Sequence, residues 1–159
     1  MTETTAATAA TVGEDFAITL TLERGYRFAV DSHLPGAAPF VIDEGAPLGE
    51  GSGPNPSRVL AAAMASCLGS SLLFCLGKSR IPIRGLRVEA SGTLQRNDRG
   101  RLRVGSIHVR LHPDVAPEDV PRMTRCLELF EDFCVVTESV RHGIPVEVGV
   151  VTQVAGEGA

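Results

Sequence analysis

The chain has 159 residues, a length that suits one domain, and 43% of them are hydrophobic, enough for a real core. The formal net charge is -4, the basic residues are dispersed, and aromatic residues make up 4%, with one Tyr and no Trp. This excludes a nucleic-acid binder that relies on a basic face and aromatic stacking platforms.

Residues 1–14, rich in Thr and Ala, carry no periodicity and are expected to form a flexible tail. They lack the basic start and apolar stretch of a secretory signal, so the expected location is the cytoplasm, where thiols are kept reduced. Four cysteines in such a chain are expected as structural thiols, catalytic thiols or metal ligands rather than as a disulfide scaffold.

Apolar and polar residues alternate over 16–23, as in a half-buried strand. Arg24-Gly25-Tyr26 makes a turn and residues 27–31 return, giving a hairpin, with a third short strand over 40–42. A long Gly- and Pro-rich connection then leads to Asn55-Pro56, a capping side chain followed by a proline at the first helical position. The helix is expected to run to about Lys78. Its apolar run, 59–76, is interrupted by Ser66, Gly69, Ser70 and Ser71, and reads as a buried core helix rather than a membrane span.

Two long strands, 86–95 and 102–111, are joined by the polar turn 96–100. A second helix is expected over 117–131, with Pro121 able to move its start one turn later. A shorter helix over 135–141 is capped by Gly143, and 144–151 reads as a last strand. Strands, helix, two strands, helices and strand make an α+β fold.

Cys67 lies mid-helix and shares a helical stripe with Leu60, Ala63, Met64, Ser70, Ser71 and Phe74, among small residues that allow close backbone approach. It reads either as a small buried hydrophobe or as a reactive thiol. Cys134 immediately precedes the short helix, whose N–H groups would stabilise a thiolate, while Glu131, Asp132 and Glu138 would oppose it. Cys75 is eight residues after Cys67 and Cys126 eight before Cys134, too far for a disulfide within one helix. No short C-x2-C spacing or paired-His helix face supports a metal site, and the Gly49–Pro54 stretch lacks the phosphate-loop lysine, so no metal or cofactor is expected.

The segment Gly53-Pro54-Asn55-Pro56-Ser57-Arg58-Val59-Leu60-Ala61-Ala62-Ala63-Met64-Ala65-Ser66-Cys67-Leu68 resembles the G-P-x-P-x-x-L-L-A-A-L-x-x-C signature of the OsmC/Ohr family. Cys134-Val135-Val136-Thr137-Glu138-Ser139, followed by Gly143-Ile144-Pro145-Val146, resembles that family's second signature, C-x-V-x-x-S-L-x-x-G-x-P-V. The resemblance spans about residues 15–152 as one domain, with residues 153–159 left as a C-terminal tail.

The resemblance implies an intertwined homodimer in which antiparallel sheets wrap around central helices. It implies thiol-dependent reduction of organic hydroperoxides without metal or organic cofactor, with Cys67 as peroxidatic thiol, Cys134 as resolving thiol and an external dithiol as reductant. Neither a nucleic acid nor a membrane is an expected partner.

Peroxidase members use an Arg near the first hairpin turn, for which Arg24 is the candidate here, held by a Glu just after the Asn-Pro. That position is Ser57, followed by Arg58, so Glu50 or Glu44 would have to substitute. The alternatives to the enzyme are a protein of this fold that binds a small apolar ligand or is only structural, and a thiol redox sensor.

Overall fold

The computed structural model describes residues 16–153, so the expected tail over 1–14 and all but the first residue of the tail over 153–159 lie outside it. Two compact units divide between Leu60 and Ala61, within the long helix, and each is described by itself.

In the first unit, β1 (Thr19–Arg24), β2 (Arg27–Asp31) and β3 (Phe40–Ile42) form an antiparallel sheet in the order β1-β2-β3. Leu20 pairs with Val30, and Val30 in turn pairs with Phe40. The hairpin forms where the alternation and the Gly25 turn placed it, but only Val30 is fully buried. All six residues of β1 are exposed, so the half-buried strand of the sequence reading has no cover within the described chain.

The connection after β3 is a tight loop organised by Asp43, which is 1% exposed. Its Oδ2 accepts hydrogen bonds from the backbone N–H groups of Glu50 (3.2 Å) and Ser52 (3.0 Å) and from the Ser52 hydroxyl (2.8 Å). Gly49 is required there: a Cβ on it would lie 2.1 Å from the Glu44 carbonyl oxygen and 2.5 Å from Asp43 Oδ1.

Helix α1 (Pro56–Lys78) starts at the expected residues, with the Asn55 side chain accepting the Arg58 N–H at 3.0 Å. In the second unit, β4 (Gly85–Arg96) and β5 (Leu102–Asp114) make a long antiparallel hairpin closed at Asn97–Gly100. The expected helix over 117–131 is broken into a 3-10 turn Pro117–Met123, helix α2 (Thr124–Leu129) and a second 3-10 turn Phe130–Phe133. Pro121 has no N–H to donate, and the α-helix begins only three residues after it. Helix α3 (Val135–His142) ends at Gly143, whose φ of +78° suits a glycine cap.

The last expected strand is not present. Residues 144–151 have no regular structure, and Val146, Val148, Val150 and Val151 are at least 80% exposed. Their alternation is that of a strand, but no neighbouring strand within the described residues supplies a ladder.

The core of the second unit is built from Leu68, Leu72 and Leu76 of α1 with Ile81, Met123, Cys126, Phe130 and Cys134, flanked by Leu86, Val109 and Leu111 of the hairpin. The buried stripe of α1 is thus Met64, Leu68, Ser71, Leu72 and Leu76, and it differs from the expected one: Ala63, Ser70 and Phe74 are exposed. Cys67 sits on its flank, half-buried. α1 is long and apolar enough to cross a membrane, yet this buried stripe makes it the core helix of its unit.

Candidate functional site

The short helix α3 decides where the thiols meet. Cys134 occupies its N-cap position with an extended backbone (φ -81°, ψ 97°), which turns the first N–H groups of the helix toward the sulfur atoms. The Val136 N–H points at Cys67 Sγ, 3.5 Å away. Cys67 and Cys134, 67 residues apart in sequence, therefore share one helix N-terminus. Both are free thiols, Cys67 half-buried and Cys134 wholly buried, and each bears on the other's titration.

The pair is electrostatically unequal. Burial pushes the Cys67 thiol up, and donating its hydrogen to Cys134 pushes it further; the Val136 and Val135 N–H groups oppose this only partly. Burial acts the same way on Cys134 but is outweighed. The Thr137 side chain, the Cys67 S–H and the Thr137 and Val136 N–H groups together hold Cys134 below its ordinary range. The two thiols titrate as a coupled pair, with Cys67 held up and Cys134 held down.

The Thr137 hydroxyl bears on that sulfur but lacks a partner at ordinary hydrogen-bond geometry, so it is free to turn to a thiolate. Two of the three acidic neighbours that would oppose a thiolate are compensated: Arg141 bridges Glu131 at 2.5 Å and also pairs with Glu138.

Arg24 lies in the first unit, at the end of β1. Its guanidinium donates to Glu50 through Nη2 at 2.9 Å and Nε at 3.3 Å, both side chains being about 60% exposed. Of the two carboxylates considered from sequence, Glu50 is the one that pairs. Glu50 is placed in turn by its own N–H on the buried Asp43. Arg27, beside it, donates to Glu23 at 2.6 Å and to the Ser52 hydroxyl at 2.6 Å, and that hydroxyl donates to Asp43. One buried carboxylate thus sets the partners of both arginines.

Sequence reasoning missed a second cysteine pair. Cys75 and Cys126 are joined by a disulfide with their Cα atoms 5.6 Å apart, so the expectation that all four cysteines stay as thiols or ligands is corrected for these two. The signal lay in the spacing. Eight residues separate Cys67 from Cys75 and eight separate Cys126 from Cys134, so two antiparallel segments that join one pair also align the other. Among the described residues, no group of three or more His, Cys, Asp or Glu side chains could hold a metal ion.

A family model described as OsmC-like protein matches residues 49–149, a span containing both cysteine signatures. The chain belongs to the OsmC-like family. Solved structures share its fold: an OsmC-like protein of unknown function from Vibrio cholerae superposes with a TM-score of 0.68 at 16% identity, over 80% of this chain and 94% of that one. An OsmC-like protein from Mycoplasma pneumoniae gives 0.69 at 14% identity, over 82% and 89%. The organic hydroperoxide resistance protein OhrB of Bacillus subtilis gives 0.57 at 21% identity, over 80% and 91%. No curated protein matches the sequence significantly. The α+β OsmC-like fold with antiparallel sheets is thereby shown.

Proposed function

We propose that this OsmC-like protein is a thiol-dependent reductase of organic hydroperoxides that uses Cys67 and Cys134. The observation that carries the reading is the shared position of two free thiols at the N-terminus of α3, one reachable from solvent and one buried behind it. The hydroperoxide resistance protein among the structures of the same fold agrees with it.

The chemistry follows from the inequality of the pair. Cys134, the thiolate, accepts the Cys67 proton as the Cys67 sulfur attacks the terminal oxygen of the hydroperoxide. The O–O bond breaks, the hydroxyl passes to sulfur as a sulfenic acid, and the alkoxide takes the proton and leaves as the alcohol. Cys134, again a thiolate, displaces hydroxide from the sulfenic sulfur and forms the disulfide. An external dithiol restores both thiols by exchange. To Arg24, oriented by Glu50, we assign the cation that steadies the charge developed during peroxide cleavage.

We infer a cytoplasmic homodimer as the working form. What supports the dimer is the apolar surface left uncovered: Leu20 and Leu22 on β1, Leu73 and Phe74 on α1, and the alternating valines of 144–151.

The test is dithiol-dependent consumption of cumene hydroperoxide by wild type, Cys67→Ser and Cys134→Ser. The expected result is no turnover in Cys67→Ser and a single event per chain in Cys134→Ser. A wild type that consumes no peroxide and keeps both thiols titratable sinks the enzyme reading and leaves ligand binding in its place.

A further inference from the structure

Of the four cysteines, the proposed peroxidase uses two. The other two, Cys75 and Cys126, are already bonded to each other. They lie at the far end of α1, two helical turns beyond Cys67. The rise between Cys67 and Cys75 is about 12 Å, well beyond the Cα separation of roughly 7 Å that a disulfide tolerates. A bond between Cys67 and Cys75 would therefore need unfolding of α1.

The surroundings are built for closure. Cys126 is fully buried in the core, and the Ser79 hydroxyl lies 3.3 Å from its sulfur. Arg122, beside Cys126 in sequence, donates to the Ser79 carbonyl at 3.1 Å and pairs with the buried Asp119, so the end of α1 and the approach to α2 are held together without the disulfide. Opening the bond leaves two sulfurs still in position to close again. Cys75 is half-buried and Cys126 fully buried, so Cys75 is the more accessible of the two to a small molecule.

We propose that Cys75 and Cys126 are a second redox site: a reversible staple, insulated from Cys67 and Cys134, that low-molecular-weight disulfides close and dithiols open. In closing, the Cys75 thiolate attacks the small disulfide and expels one thiol. Cys126, once deprotonated, displaces the second thiol from Cys75. The protein loses two hydrogens and two electrons, and the small disulfide gains both as two thiols. The staple spans 51 residues of sequence and ties α1, the longest helix among the described residues, to the segment that leads to Cys134. Its closure under oxidising conditions holds that segment when the peroxidatic pair is most in demand.

The test uses the Cys67→Ser/Cys134→Ser double variant, equilibrated with oxidised glutathione or with dithiothreitol. The expected oxidised form has no free thiol in denaturant, is lighter by two hydrogens, and melts roughly 5–15 °C above the reduced form, the shift expected for a loop of this size in a protein of this length. Two free thiols after oxidation, two attached glutathiones, or identical melting of both forms overturns the staple. Should the double variant not fold, unreduced peptide mapping of oxidised wild type decides. A linked Cys75–Cys126 pair supports the proposal, and any other partner for either residue overturns it. Cys75→Ser is expected to keep hydroperoxide turnover while losing the redox-dependent melting shift, so the staple and the peroxidase stand or fall separately.

Discussion

Arg24 and Glu50 are 26 residues apart, and their side chains meet in a 2.9 Å ion pair at the first hairpin turn. The Asn-Pro helix start, where a supporting Glu was expected, carries Ser57 instead. The carboxylate has moved to the loop before the helix, and the buried Asp43 fixes that loop. An exposed pair of this kind contributes little to stability, so its value lies in orientation.

Glu50→Gln is therefore expected to leave the thermal midpoint within about 2 °C of wild type. Hydroperoxide turnover should fall by about 10–100-fold, as for a misplaced catalytic group. Arg24→Ala should fall at least as far. Steady-state assays with calorimetry check both. Undiminished turnover in Arg24→Ala removes the arginine from the proposed mechanism, whatever happens in Glu50→Gln.

Asp43 makes the loop sensitive to acid. The Ser52 N–H, foremost, with the Ser52 hydroxyl and the Glu50 and Glu44 N–H groups, outweighs burial and holds this carboxyl below the usual range. A carboxylate depressed in the folded state stabilises the fold above its unfolded pKa, and that contribution drains away as pH falls through the folded value. Asp43→Asn is thus expected to lower the melting temperature at neutral pH and to flatten its dependence on pH below about 4, the ordinary aspartate range. Parallel melting curves for variant and wild type from pH 7 down to pH 3 would remove Asp43 from this role.

Much of this was legible in the sequence, and the gaps have physical causes. Asn55-Pro56 announced the start of α1 because capping is local chemistry, and Gly143 marked the end of α3 for the same reason. The two signatures placed Cys67 and Cys134, and the fold brings them together. The Cys75–Cys126 bond was not read: the matched eight-residue spacings hint at it only once the segments are known to align, and that alignment is not encoded in local pattern. The strand expected over 144–151 failed because alternation reports what a segment could bury, while a strand also needs a neighbour to bond with. Glu50 was one of two candidates until its ion pair with Arg24 chose between them.

Thr137 gives a sharper test of the thiol pair. Its hydroxyl is buried and lacks an ordinary partner, yet it helps to hold Cys134 low. Thr137→Val keeps the shape and removes the hydroxyl. Stability should change by less than about 1 kcal/mol, since no formed hydrogen bond is lost. The first thiolate of the pair should titrate at higher pH, and peroxide reactivity at neutral pH should fall with it. Cys67→Ala should shift the Cys134 titration the same way, by removing the S–H donor. Thiolate absorbance against pH reads both. A first titration that stays put in both variants would show that Cys134 is not the resting thiolate.

The valines of 144–151 bear on the proposed dimer. Val146, Val148 and Val150 are at least 80% exposed and alternate with Pro145, Glu147 and Gly149, so they would form one apolar face if the segment paired as a strand. Nothing in the described residues of this chain supplies that partner. In the proposed dimer a second copy would. Val148→Lys places a charge in the middle of that face. In sedimentation, wild type is expected as a dimer, and Val148→Lys should shift toward monomer with at least a tenfold weaker association, about 1.4 kcal/mol. Because Val148 is 85% exposed, the variant should still fold, as circular dichroism would show. A Val148→Lys protein that remains dimeric at the lowest measurable concentration would exclude this segment from the dimer interface.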